Sequence, residues 1–148
     1  MGVWNAVKTW FGAGPAQDGR PMGVTDEGEI LAYASQIQPH LVRVDKVLME
    51  TWPAAFDTER LSEIQEVVAR TRPTLQRARD FLAGTPAPAF FTRARTLMEA
   101  AFEHYLAAAD GWIAGDADEA VDQMRIGLRF WEEANEELDR LLAASRRR

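Results

Sequence analysis

The chain has 148 residues, 47% of them apolar and 27% charged, with a formal net charge of −6. That length and balance imply one globular domain with its own core, and the acidic sum argues against nucleic acid as a partner. Cysteine is absent, which excludes disulfides, thiol catalysis and cysteine-based zinc sites and fits a reducing, cytoplasmic compartment. The longest uninterrupted apolar run, residues 105–109, is too short to cross a bilayer.

Residues 1–11 form an apolar arm. In a helix, Val3, Trp4, Val7, Trp10 and Phe11 share one face, and Asn5, Lys8 and Thr9 take the other. Lys8 interrupts the apolar pattern and no small-residue cleavage site follows, so no secretory signal is expected. Ala6 stands where a myristoylation signal wants Ser or Thr. Two tryptophans and a phenylalanine so close together are unfavourable in water, and three seats suit them. The arm can fold back on its own bundle as a fifth helix. It can lie in a membrane interface, with the aromatics inserted and Lys8 among the head groups. It can dock in a groove of a partner protein or of a second copy. Residues 12–24 form a linker, because Gly12, Gly14, Gly19 and Gly23 with Pro15 and Pro21 resist both helix and strand.

From residue 25 the spacing predicts four long helices. The first covers 26–52, with Ile30, Ala34, Ile37, Leu41, Val44 and Leu48 along one seam, Thr25 as its N-cap and Pro53 as its stop. Pro39 raises the alternative of a break inside it, as Pro73 does in the second helix. That second helix covers 58–83 and runs through Leu61, Ile64, Val68, Thr71, Leu75, Ala78 and Leu82, with Asp57 as its cap and Gly84 at its end. The third covers 86–114, led by Thr85 and Pro86. Its stripe of Phe91, Ala94, Met98, Ala101, Tyr105, Ala108 and Trp112, widened by Leu97, Phe102, Leu106 and Ile113, makes it the most buried. The fourth covers 117–144, with a seam of Val121, Met124, Leu128, Trp131, Asn135, Leu138 and Leu142. Gly115 ends the preceding helix, and Asp116 with Glu119 has capping-box spacing. Short joints force antiparallel neighbours, so the expected fold is all-α: an up-down-up-down antiparallel four-helix bundle over 25–148, preceded by a short N-terminal amphipathic helix.

Chemistry-bearing patterns are sparse. The two histidines, His40 and His104, stand one step off their seams on helices that would be diagonal in such a bundle. They are the one candidate pair for a metal or haem, against the plainer reading of two flanking histidines. Glu132, Glu133, Glu136, Glu137 and Asp139 read as a solvated face rather than an acid/base pair, and no phosphate loop or nucleophile motif occurs. Thr71 and Asn135 interrupt apolar rows, fixing register or lining a ligand cavity. Residues 105–131 resemble a single tetratricopeptide hairpin: Gly115 and Asp116 at the turn, then Ala120, Met124 and Gly127 where that family wants Ala, a bulky residue and a small one. His104 and Gly111 replace its aromatics, Glu132 its proline, and no second copy appears at its 34-residue period.

Charge is polarised. In the expected topology the pole receiving the arm sums to about +2 and the far pole to about −8. Arg77, Arg79 and the tail Arg146, Arg147 and Arg148 suit helix C-termini, whereas Arg93 and Arg95 lie near a helix start. The expected function is therefore non-enzymatic: docking to a partner protein or an anionic membrane surface through Val3, Trp4, Val7, Lys8, Trp10, Phe11, Arg93 and Arg95, with no cofactor. The linker is long enough for the arm to exchange between two copies. The alternative is a small-molecule or metal-binding bundle built on His40 and His104.

Overall fold

The computed structural model describes residues 24–146, and these are helices and the turns joining them. Helix α1 spans Val24–Lys46, a π-turn Val47–Thr51, α2 Trp52–Asp57, α3 Leu61–Gly84, a 3-10 turn Ala89–Phe91, α4 Thr92–Ala114 and α5 Ala117–Arg146. The all-helical class follows the periodicity, and the boundaries depart from it for local reasons. Helix α1 already includes Val24 and Thr25, so Thr25 is not its cap.

Pro53 does not stop the first helical rod. The π-turn ahead of it widens the coil, with the Trp52 N–H donating to the Val47 carbonyl. Pro53 then falls in the first turn of α2, where its missing N–H is not needed. This carries the rod on to Asp57 and swings Trp52 fully into the core. Neither Pro39 nor Pro73 breaks its helix. Each proline deprives the carbonyl four residues back of a partner, and Ser35 and Ala69 stand on exposed surface where water replaces it.

Asp57 does not cap α3. The chain turns through Glu59 at φ 55, and the Thr58 hydroxyl donates to the Ala55 carbonyl at 2.7 Å and accepts the Arg60 N–H at 3.2 Å. Thr85 and Pro86 do not start α4 either. Pro86 and Pro88 hold Thr85 and Ala87 out of helical geometry, so α4 proper begins at Thr92. The joint between α4 and α5 is as expected: Gly115 adopts φ 81, and the Asp116 carboxylate accepts the Glu119 N–H at 3.2 Å.

Cross-contacts order the helices. His40 and Trp52 of the first rod meet Phe81 and Thr71 of α3. Gln65, Arg72 and Arg79 of α3 meet Ile113, Asp110 and Glu103 of α4. His104 and Phe102 of α4 meet Gln123 and Trp131 of α5, and Arg93 meets Glu137. In each case residue numbers fall on one helix as they rise on the next. Helix α4 is central, burying Met98, Phe102, Tyr105, Leu106 and Trp112 besides its small residues.

The seam of α5 differs from the expected one. Ala120, Gly127 and Ala134 are buried at heptad spacing, while Val121 and Leu128, one position on, remain 36% and 50% exposed. The cause lies on α4, whose Ala94, Ala101 and Ala108 repeat at the same spacing. Small residues facing small residues let the two backbones close up. A Cβ on Gly111 would meet Ala120 backbone atoms at 3.1 Å, and one on Gly127 the Tyr105 ring at 3.2 Å. Bulky side chains at those positions would hold the helices apart, so they stand to either side.

Thr71 is a partner for a buried donor. The Trp52 indole N–H donates to its Oγ1 at 2.8 Å, and that hydroxyl donates in turn to the Val67 carbonyl.

Candidate functional site

The two arginines expected near the start of α4 differ in what they meet. Both occupy the first turn of α4, the positive end of its dipole, where a cation is disfavoured unless an acid stands close. Arg93 meets Glu137 of α5 at 3.5 Å and keeps its side chain 72% exposed. Glu137 is itself buried, and Arg140 grips it through two nitrogens while staying 64% exposed. The hydrogen bonds from Arg140 hold the Glu137 carboxyl below the usual range, against the opposing effect of burial and helped by the charges of Arg140 and Arg93. One buried carboxylate therefore anchors two guanidinium groups whose other nitrogens face water.

Arg95 has turned inward. Its side chain is 28% exposed and pairs with Glu99 at 3.8 Å, and its Nε is buried without a hydrogen-bond partner. The Tyr33 hydroxyl, buried and likewise unpartnered, lies within the field of Arg95 and Glu99, and desolvation raises its pKa to about 12. Beside it an open cleft of about 320 Å³ runs between α1 and the 85–88 loop, lined by Glu29, Ala32, Tyr33, Gln36 and Pro86–Pro88. The arm residues Val3, Trp4, Val7, Lys8, Trp10 and Phe11, with the linker behind them, lie outside the described residues.

The two histidines occupy different interfaces. His40 stacks on Phe81 of α3 at 4.6 Å between ring centres, and burial with the nearby Arg43 charge lowers its pKa. His104 stacks on Phe130 of α5 at 5.4 Å and shares a 2.7 Å hydrogen bond through Nδ1 with the Gln123 amide oxygen, which makes Nδ1 the protonated nitrogen. Gln123 donates onward to Glu119. Among the described residues no three His, Asp or Glu side chains converge on a point that would hold a metal ion. No helix among them is long and apolar enough to cross a membrane.

Sequence reasoning missed the large apolar side chains that the shifted α5 seam leaves in water and others exposed on α1. Val121 and Leu128 on α5, and Val42 and Met49 on α1 at 41% and 68% exposure, are large apolar side chains in water. The heptad of Ala120, Gly127 and Ala134 was the available signal, because small residues at seam spacing mark where backbones approach. Compared with known proteins, the chain matches no family model, no curated protein and no solved structure.

Proposed function

We propose that this chain is a non-catalytic, cytoplasmic interaction protein. It is an up-down-up-down antiparallel bundle with an N-terminal amphipathic helix, docking to a partner protein or an anionic membrane surface through that helix and the arginine-bearing pole. The reversed order of contacts between successive helices supports the topology. The observation that carries the docking role is the Arg93–Glu137–Arg140 cluster. A buried acid orients two arginines outward, 72% and 64% exposed, at the pole where α4 starts and α5 ends. The Tyr33 ring of α1 packs edge-on against Phe91, just ahead of the start of α4, which supports a shared pole for the first turns of α1 and these arginines. Phosphate or carboxylate groups on a target would meet guanidinium forks already fixed in place. Each basic residue held near an anionic surface contributes about 1 kcal/mol.

The test is sedimentation with phosphatidylserine-containing and neutral vesicles. It compares the full chain, the full chain with Trp4→Ala and Trp10→Ala, and the full chain with Arg93→Glu and Arg140→Glu. Binding to the anionic vesicles that falls in both variants and weakens with salt supports the membrane surface. Failure of the full chain to sediment removes the membrane and leaves the partner protein. Variants that bind as well as the parent refute the role of the arm and of the pole.

A further inference from the structure

The cleft between α1 and the 85–88 loop takes no part in the docking role, and its lining has a chemistry of its own. Its volume of about 320 Å³ falls at the lower end for small-ligand pockets, which hold about 300–1,000 Å³. One wall is set in advance: Thr85 and Pro88 are extended, with φ −112 and −53, and each proline restricts the residue ahead of it. The facing wall is one stripe of α1, where Glu29, Ala32, Tyr33 and Gln36 follow at three- and four-residue steps. Tyr33 is the buried member of that lining and forms its floor, while Glu29, Ala32 and Gln36 are exposed. Acceptors dominate. Pro86 and Pro88 have no N–H, and the Glu29 carboxylate only accepts. The Tyr33 hydroxyl is one of three buried side-chain polar atoms without a hydrogen-bond partner among the described residues. The other two, Arg95 Nε and Trp112 Nε1, are donors, so the Tyr33 oxygen is the one that can accept.

We propose that this cleft binds a small organic ammonium ion, a protonated primary amine on an apolar body. Such a group brings three N–H donors, and the α1 stripe offers three acceptors within one turn of each other: the Glu29 carboxylate, the Gln36 amide oxygen and the Tyr33 oxygen. Ala32, Pro86 and Pro88 cover the apolar body. Glu29 is the charged side chain of the lining and stands in no ion pair among the described residues, so its charge is available. The arginines of the same pole are held elsewhere at contact range. Arg95 pairs with Glu99 at 3.8 Å, and Arg93 and Arg140 both meet Glu137. Along α1 the first base is Arg43, about 10 Å beyond Gln36. An anion would find no cation in the lining, and a purely apolar molecule would leave the acceptors facing it unpaired.

The test titrates the full chain with benzylamine at neutral pH and follows the NMR signals of Glu29, Ala32, Tyr33, Gln36 and Ala87. These should move together and saturate with a millimolar Kd, as befits so small a probe. Benzyl alcohol, of the same shape without the charge, should bind several-fold more weakly, and benzoate should leave the signals in place. Glu29→Gln, at an exposed position, should raise the Kd several-fold. Tyr33→Phe, which keeps the ring and removes the oxygen, should also raise it, with circular dichroism melts checking that each variant folds. Glu66→Gln, an exposed change on α3, should leave it unchanged. Benzoate moving the same signals, or Glu66→Gln weakening the amine as much as Glu29→Gln, overturns the site. Unchanged affinity in Glu29→Gln does the same. Stronger shifts of the same residues with Nα-acetyl-lysine amide keep the ammonium site and assign its source to a lysine of a partner protein.

Discussion

Three glycine-to-alanine substitutions test the close approach of α4 and α5, because the same methyl group should stabilise at one position and destabilise at the other two. Gly28 is an exposed residue of α1 with open space where a Cβ would go, so alanine there gains helix propensity, about 1 kcal/mol. Gly111 gains the same propensity, but its Cβ would stand 3.1 Å from the N, Cα and Cβ of Ala120. Those atoms belong to a helix and do not swing aside, so α5 must shift as a body. Overpacking of that kind costs about 1–3 kcal/mol, which outweighs the propensity gain and leaves a net loss of about 1 kcal/mol. Gly115 has room, but its φ of 81 puts alanine in the left-handed region at a cost of about 1–2 kcal/mol. For a domain of this length 1 kcal/mol moves Tm by about 2–4 °C, so thermal melts followed by circular dichroism should rank Gly28→Ala above the parent and the other two below it. Should Gly111→Ala stabilise as much as Gly28→Ala, the helices are not held together through small residues, and the account of why Val121 and Leu128 stand exposed falls with it.

Other outcomes follow from the polar groups of the core. Thr71→Val leaves the Trp52 indole N–H buried without its acceptor and should lower stability by about 1–3 kcal/mol in urea titrations, with Trp52→Phe recovering part of that loss in the double variant. The pKa of His40 is lowered from 6.5 in the folded chain, so the unfolded chain takes up its proton first. The folded state keeps its full stability above that value and loses some as pH falls below it. His40→Phe should therefore flatten the dependence of the urea midpoint on pH between about 5 and 7.5. The Glu137 carboxyl is likewise held below its ordinary 4.5. Its contribution is present above that pH and lost as the carboxylate protonates on further acidification, so Glu137→Gln should remove an acid-sensitive part of the stability that Glu136→Gln leaves in place.

The periodicity of the chain shows that there are four long helical segments because each must bury one stripe, and alternating three- and four-residue spacing has no other cheap solution. It shows the turn at Gly115 because left-handed geometry and a capping Asp leave a local signature. It fails at the prolines, and in both directions. Pro53 is tolerated through the π-turn ahead of it, which depends on the pull of Trp52 toward Thr71 on a helix some 19 residues away. The pair Pro86 and Pro88 delays α4 by six residues from the expected start, because each proline restricts the residue before it as well as itself. Arg93 and Arg95 stand out in the sequence because they misfit a helix start. Arg95 has Glu99 four residues on along the same helix, a spacing the sequence displays, whereas Glu137, which meets Arg93, stands more than 40 residues away on α5 and no spacing along one segment reveals it.

The fourth helix shows why counting apolar positions cannot locate an interface. Its apolar arc is wider than one neighbour can cover, and the part that is used is marked by the heptad of small residues and not by the bulky ones. If bulky residues formed the contact, Val121, Leu128 and Asn135 would be inside and the small residues outside. Because Ala94, Ala101 and Ala108 on α4 offer a flat surface, the smallest residues of α5 make the closest approach, and the bulky ones are displaced to its flanks. One flank holds Trp131 against Phe102, and beyond it Leu128 remains half in water. That surplus is a consequence of the tight pairing itself. A fold that brings two helices together through alanine and glycine leaves the larger side chains beside the contact, which is why Val121 and Leu128 stay exposed on a helix whose apolar residues outnumber its buried positions.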